Sequence, residues 1–173
     1  MTAGRAATAK GPQMKKLTHE LSYPGATVDQ VAAMLGDREF REAVCEAQRV
    51  LRHTVAISHA GETKVVEMQQ VQATSGIPSF AKRLVGDETE ILTKEIWSST
   101  TEAIIDINIP GKPGEMTGTI ILVETAAAVV ETVDLAISVA IPLVGGKIEA
   151  VLLDLMTKAL KKEHQVGREW LAR

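Results

Sequence analysis

At 173 residues the chain fits one domain, long enough to bury about 70% of its unfolded surface in a single core. A formal net charge of -3 and an aromatic content of 3% leave no basic, base-stacking surface, which excludes nucleic acid as the expected partner. No apolar run approaches the ~18 residues of a membrane-spanning helix and no hydrophobic leader is recognisable, so a cytoplasmic protein without integral membrane association is expected.

Residues 1–13 are rich in Ala, Thr and Gly, carry Arg5 and Lys10 but no acid, and read as a disordered tail ahead of one domain over 14–173. Met14 opens the first patterned segment and is an alternative start to Met1. Residues 16–23 alternate, with Leu17, His19, Leu21 and Tyr23 on one side, and predict a half-buried strand stopped by Pro24-Gly25. Thr27 or Asp29 then caps a helix with Val28, Val31, Ala32 and Leu35 at helical spacing, which Gly36 ends. Asp37 caps a second helix, with Phe40, Val44 and Ala47 on one face and Arg38, Glu39, Arg41, Glu42 and Glu46 elsewhere. Its lone Cys45 can close no internal disulfide and suits a small buried thiol better than a reactive one.

Period two returns over 49–59, with His53, Val55, Ile57 and His59 together, and Ala60-Gly61 turns the chain into a partner strand over 63–73. Gly76, Pro78 and Gly86 surround the apolar piece 80–85, which reads as a short helix or as a loop folded over an opening. Strands are predicted at 91–98, 102–109, 116–124 and 129–141, the middle pair joined by Pro110-Gly111-Lys112-Pro113-Gly114. The last places Val133, Leu135, Ile137, Val139 and Ile141 on one face. Past Pro142 and Gly145-Gly146, residues 147–171 predict a long helix. Its apolar stripe is Ile148, Val151, Leu152, Leu155, Met156, Ala159, Val166 and Trp170, and its wet side Asp154, Lys158, Lys161, Lys162, Gln165 and Arg168. Six strands with no helical crossover exclude a parallel sheet, so the fold class is α+β.

This order of elements resembles the START-like superfamily, also called SRPBCC or polyketide cyclase/Bet v 1, over residues 14–173. The segments IPSFAKRLVGDE (77–88), KEIWSS (94–99), IPGKPGEMTGT (109–119), IPLVGGKIE (141–149) and EHQVGREWL (163–171) are similar to an uncharacterised actinobacterial family within it, a domain of unknown function. The resemblance implies a helix-grip fold: a seven-stranded curved antiparallel sheet around a long C-terminal helix, with two short helices between strands 1 and 2. It implies a type of cavity and no reaction.

A sheet bent about one helix can leave an apolar pocket of ~300–1,000 Å³ in its middle. The candidate lining is Leu17, Val55, Ile57, Met68, Ile105, Ile107, Ile120, Leu135, Ile137, Leu152, Leu155, Met156 and Ala159; the alternative is that these residues are simply core. His19, His53, Glu95 and Trp97 fall on inward faces, where a polar group costs ~1–3 kcal/mol unless partnered, so each either orients a ligand or pairs within the protein. Phe80 and Leu84, at helical spacing, stand where relatives carry an entrance element and suggest a lid; the 110–114 loop is a second rim candidate. The chain has no HExxH, CxxC or GxSxG, its four histidines lack metal-ligand spacing, and PLVGGK lacks the first glycine and the hydroxyl residue of a phosphate loop. No metal and no cofactor are expected. The leading expectation is binding of a hydrophobic or amphipathic small molecule such as a lipid, polyketide or isoprenoid. The alternatives are a cyclase or dehydratase-type enzyme using His19, His53 or Glu95 as acid or base, and an interaction module using the stripe Lys158, Lys161, Lys162, Gln165 and Arg168. The oligomeric state is left open.

Overall fold

Antiparallel pairing runs from one edge of the sheet to the other without a break. A computed structural model describes residues 14–173, and the tail expected at 1–13 lies outside them. The elements are β1 (Lys15–Pro24), α1 (Val28–Leu35), α2 (Arg38–Ala47), β2 (Arg52–Ala60), β3 (Thr63–Ala73), α3 (Ser79–Val85), β4 (Glu88–Trp97), β5 (Glu102–Asn108), β6 (Glu115–Glu124), β7 (Ala128–Ser138) and α4 (Gly145–Leu171). The seven strands form one sheet in the order β1-β7-β6-β5-β4-β3-β2. Strands β2 to β7 are thus a meander, and α1 with α2 carries the chain from one edge to the other. The architecture is the α+β helix-grip fold that the order of elements predicted.

Local chemistry accounts for the short helices. Thr27 and Gln30 form a capping box on α1, and Asp37 accepts from the amides of Glu39 at 2.7 Å and Phe40 at 3.2 Å at the start of α2. Arg49, expected at the head of β2, instead takes a left-handed conformation at φ 58°, so the strand begins at Arg52.

Residues paired across an antiparallel ladder share a face, which fixes what the interior receives. One inward row reads Val55, Met68, Thr93, Ile107, Met116, Ile137; the next reads Ile57, Val66, Glu95, Ile105, Gly118, Leu135, Leu17. Gly118 is the gap in that row: a Cβ there would collide with the backbone carbonyl of Asp134, so β6 and β7 come together in a way only glycine allows.

The last strand stops earlier than its alternation suggests. Val139 is buried like Leu135 and Ile137 before it, but its N–H donates to Glu149 Oε1 at 3.0 Å rather than to a strand, and the chain leaves the ladder after Ser138. Gly145 sits against the Val139 carbonyl, where a Cβ would not fit, and opens α4 two residues ahead of the expected start. The stripe expected along α4 also needs correction. Its deepest positions are Gly145, Glu149, Leu160 and Gly167, whereas Leu155 is 38% exposed. Gly167 explains the close end: a Cβ there would stand 2.9 Å from the Tyr23 ring and 3.2 Å from Met34. Near that end Trp170 meets Phe40 edge-on at 5.6 Å. Cys45 is buried as expected, accepts from Gln70 Nε2 at 3.1 Å, and burial raises its pKa.

Gly118→Ala should destabilise the protein by about 3 kcal/mol, because rigid backbone faces the added methyl. Gly146→Ala, in the first turn of α4 with open space around it, should be neutral or stabilise by up to about 1 kcal/mol through helix propensity. Equilibrium urea denaturation of the two variants beside the parent measures both.

Candidate functional site: an apolar hollow beside the last helix

The C-terminal half of α4 is held closely against β1, α1 and α2, and its N-terminal half stands off from the far ends of β3 to β6. The space left between is a partly enclosed hollow of about 580 Å³. Ile91, Met116, Val139 and Ile141 line it from the sheet side, Ile148, Val151, Leu152 and Leu155 from α4, and Ala81, Leu84 and Val85 from α3. The 110–114 loop forms part of its rim. Polar lining groups are few, namely Gln72, Thr74, Thr89, Lys112 and Lys158, and no carboxylate, histidine, tyrosine or cysteine contributes to it among the described residues.

The segment carrying α3 is pinned at its base and loose above it. Buried Thr74 donates its hydroxyl to the Gly86 carbonyl and its N–H to the Asp87 carbonyl at 3.0 Å, closing both ends of the 74–87 excursion. Gly86 takes φ 79°, a conformation that favours glycine. Above that clamp α3 makes few contacts with other elements, and its Phe80 and Leu84 are each 38% exposed.

Of the residues expected to line a central cavity, Leu152 and Leu155 border the hollow, as does Leu84, which was expected in a lid. Leu17, Val55, Ile105, Ile107, Ile120, Leu135 and Ile137 are buried in packed core, and Ile57, Met68 and Met156 pack half-buried against it. Ala159 is half-buried and its carbonyl accepts from Gln48 Nε2 at 3.2 Å. Phe80 lies on α3 but outside the lining, and His19 and His53 are half-buried on inward positions of β1 and β2, away from it. The hollow therefore sits at one end of the sheet. Its centre is filled.

What fills the centre is polar as well as apolar. Arg41 of α2 and Glu95 of β4, each 2% exposed, form an ion pair at 2.7 Å. Arg41 Nε also donates to the Leu35 carbonyl at 2.7 Å, and Trp97 Nε1 donates to Glu95 Oε2 at 2.8 Å. Tyr23 OH donates to Glu131 Oε2 at 3.2 Å, and Glu163, 14% exposed, approaches Arg41 at 3.9 Å. Lys64 Nζ lies 5.2 Å over the Trp97 ring, opposite Gly36, where a Cβ would stand 2.6 Å from that ammonium. Glu95 is thus the shared partner of Arg41 and Trp97, and neither Glu95 nor Trp97 reaches the hollow.

One guanidinium cannot neutralise three enclosed carboxylates. Burial raises the Glu131 pKa well above the usual carboxylate range, reinforced by Glu163, and burial raises Glu163 too, against the pull of Arg41. Burial alone would lower the Arg41 pKa, but Glu95, Glu163 and Glu131 together raise it, so the cation persists. Burial and then Glu131 raise the Tyr23 phenol, keeping it a donor. Burial, Lys161 and His164 lower the pKa of His19. Arg41, Glu131 and Glu163 were not singled out from the sequence, although signals existed. Glu131 shares parity with Val133 and Leu135, Arg41 lies one helical turn before Val44 and Cys45, and Glu163 continues the spacing of Leu152, Met156 and Leu160.

Arg41→Met should cost about 3–5 kcal/mol, since it strands buried carboxylates without their cation. For Glu131 and Glu163 the folded pKa lies above the unfolded value of about 4.3. Their contribution to stability is therefore complete below that pH and is lost as pH rises through the folded values. Glu131→Gln should accordingly gain stability over the parent as pH goes from acid to alkaline, read as the difference in urea midpoints across the range.

The likeness to known proteins is one of fold. The Zhui aromatase/cyclase from Streptomyces sp. R1128 superposes with a TM-score of 0.65 at 9% identity, covering 93% of this chain and 95% of its own. Norcoclaurine synthase from Thalictrum flavum gives 0.60 at 13% identity, covering 100% and 97%. A START superfamily protein from Mycobacterium smegmatis gives 0.56 at 10% identity, covering 92% and 97%. No curated protein sequence matches. Among family descriptions, Protein of unknown function (DUF2505) matches residues 18–171. The chain belongs to that family, whose structural neighbours lie in the START/Bet v 1/polyketide cyclase superfamily.

Proposed function

We propose that the protein binds a hydrophobic or amphipathic small molecule in the hollow between the sheet ends, α3, the 110–114 loop and the N-terminal half of α4. The carrying observation is the wall itself: an apolar concavity of about 580 Å³, within the ~300–1,000 Å³ of ordinary ligand sites, beside a packed core cluster of the described residues. Transfer of apolar ligand surface from water, at roughly 25 cal/mol per Å², supplies the affinity. The Thr74 clamp with the sparsely held α3 above it supplies an entrance that opens without disturbing the sheet.

An enzymatic reading draws on the fold shared with an aromatase/cyclase and a synthase. It needs a proton-moving group at the ligand, and the described lining offers lysines, threonines and a glutamine. His19, His53 and Glu95, the acid–base candidates, stand outside that lining. Binding without chemistry is the reading these positions support. Lys161 and Arg168 on the outer side of α4 are exposed, as is Lys158 at the edge of the hollow. Lys158 pairs locally with Asp154, and Lys162 with Gln165, as a solvated face would.

The neutral dye N-phenyl-1-naphthylamine should fluoresce on binding the parent protein, and Val151→Trp, which fills the hollow from α4, should weaken the dye by about tenfold or more while leaving the helical circular dichroism unchanged. Tenfold corresponds to about 1.4 kcal/mol. Absence of dye binding by the parent, together with no apolar passenger in native mass spectrometry, would defeat the proposal.

A further inference from the structure

We infer that the hollow takes a single-chain aliphatic amphiphile with an anionic head, specifically a long-chain carboxylate, its tail among the Ile, Leu and Val side chains and its head at the rim. This rests on the preceding reading that the hollow binds an apolar ligand. Three observations select the class.

The wall contains no aromatic side chain. A flat polycyclic ligand is held chiefly by ring stacking, whereas branched aliphatic walls accommodate a flexible chain by dispersion contact alone. Among the described residues, both charged members of the lining, Lys112 and Lys158, are cations. The α3 helix adds Arg83 and also Lys82, which pairs with Asp87 at 3.3 Å, and bears no acid of its own. On a chain of net charge -3 the rim therefore has the opposite sign to the whole.

The two cations of the lining, Lys112 and Lys158, are also available. Lys112 is exposed between Gly111 and Pro113 and has no ion-pair partner among the described residues. Lys158 pairs with Asp154 at 2.8 Å, but both side chains are more than half exposed, and such an exposed pair is weak enough for the ammonium to be shared. Lysine offers a hydrated point charge on a long flexible stem rather than a planar fork. A singly charged carboxylate at the water line can meet one or both ammonium groups without being desolvated, so the charge adds affinity with no burial penalty.

The test displaces N-phenyl-1-naphthylamine from the full chain with four probes of equal tail: dodecanoate, 1-dodecanol, dodecylamine and dodecyl phosphate. At low ionic strength dodecanoate should displace the dye at a concentration about fivefold below that of dodecanol, the size expected of exposed ion pairs. That preference should shrink at about 0.5 M salt, where screening acts over a few ångström. The double substitution Lys112→Ala/Lys158→Ala should bring dodecanoate to parity with dodecanol and remove the salt dependence, with the urea midpoint and helical circular dichroism showing that the variant is folded. Dodecanol matching dodecanoate, dodecylamine binding best, or a preference surviving the double substitution would overturn the head-group inference and leave the hollow's ligand-binding role standing. Dodecyl phosphate binding tighter than dodecanoate would overturn the carboxylate assignment. Failure of all four probes to displace bound dye would remove the aliphatic ligand, and failure of the dye itself to bind would remove the underlying function.

Discussion

The close seating of α4 at Gly167 is the constraint on which the rest of the molecule depends. With no side chain at that position, the helix settles onto Tyr23 and Met34, and Trp170 reaches Phe40. A rigid helix held tightly at one end cannot follow a curved sheet along its whole length. Its other end begins at Gly145, fixed by the Val139 carbonyl and by Glu149, and between these anchors it bridges the sheet instead of filling it. The hollow is a consequence of two short-range packing requirements, and the apolar residues of α4 that face it would otherwise have been ordinary core.

The buried charge network is the opposite solution, away from the hollow. Where α1, α2 and α4 close over the sheet, the interior contains Arg41, Glu95, Glu131 and Glu163 with Tyr23 and Trp97 as donors. Such a network is costly to desolvate and adds little net stability compared with apolar packing. What it adds is geometric definition: α2 is tied to β4 through a 2.7 Å ion pair and to the end of α1 through the Leu35 carbonyl. The excess of carboxylates over cations is relieved by protons, through the raised pKa of Glu131 and Glu163. Polar chemistry and the apolar hollow are thus segregated, so the titratable groups of the interior fix the geometry of the scaffold and the hollow is left mainly to aliphatic side chains.

The α3 segment relates to the hollow differently. A strand pair such as β3 and β4 needs only a short turn, yet the chain spends residues 74–87 on an excursion that returns to its own starting point at Thr74. Loops that close on themselves and cover an opening while packing sparsely are the elements of a protein with least local stability. Here that element carries Leu84 toward the hollow and two basic residues beside it.

Period-two alternation, the turn residues and the long amphipathic C-terminal segment were enough to determine an α+β chain of seven antiparallel strands and a terminal helix, because each pattern reports one local geometry. They also placed Glu95 and Trp97 inward and Leu152 and Leu155 against a cavity, while the entrance position of Leu84 came from the resemblance alone. Only the tertiary structure decided which inward residues meet each other. Leu17, Ile105, Leu135 and Ile137 obey the same alternation as the sheet residues Ile91 and Met116 that border the hollow, yet they are core, since the difference lies in how far α4 stands from each strand. Likewise the partnership of Arg41 with Glu95 joins residues 54 positions apart. Periodicity assigns a side chain to a face; the distance between two faces is set by packing of the whole chain.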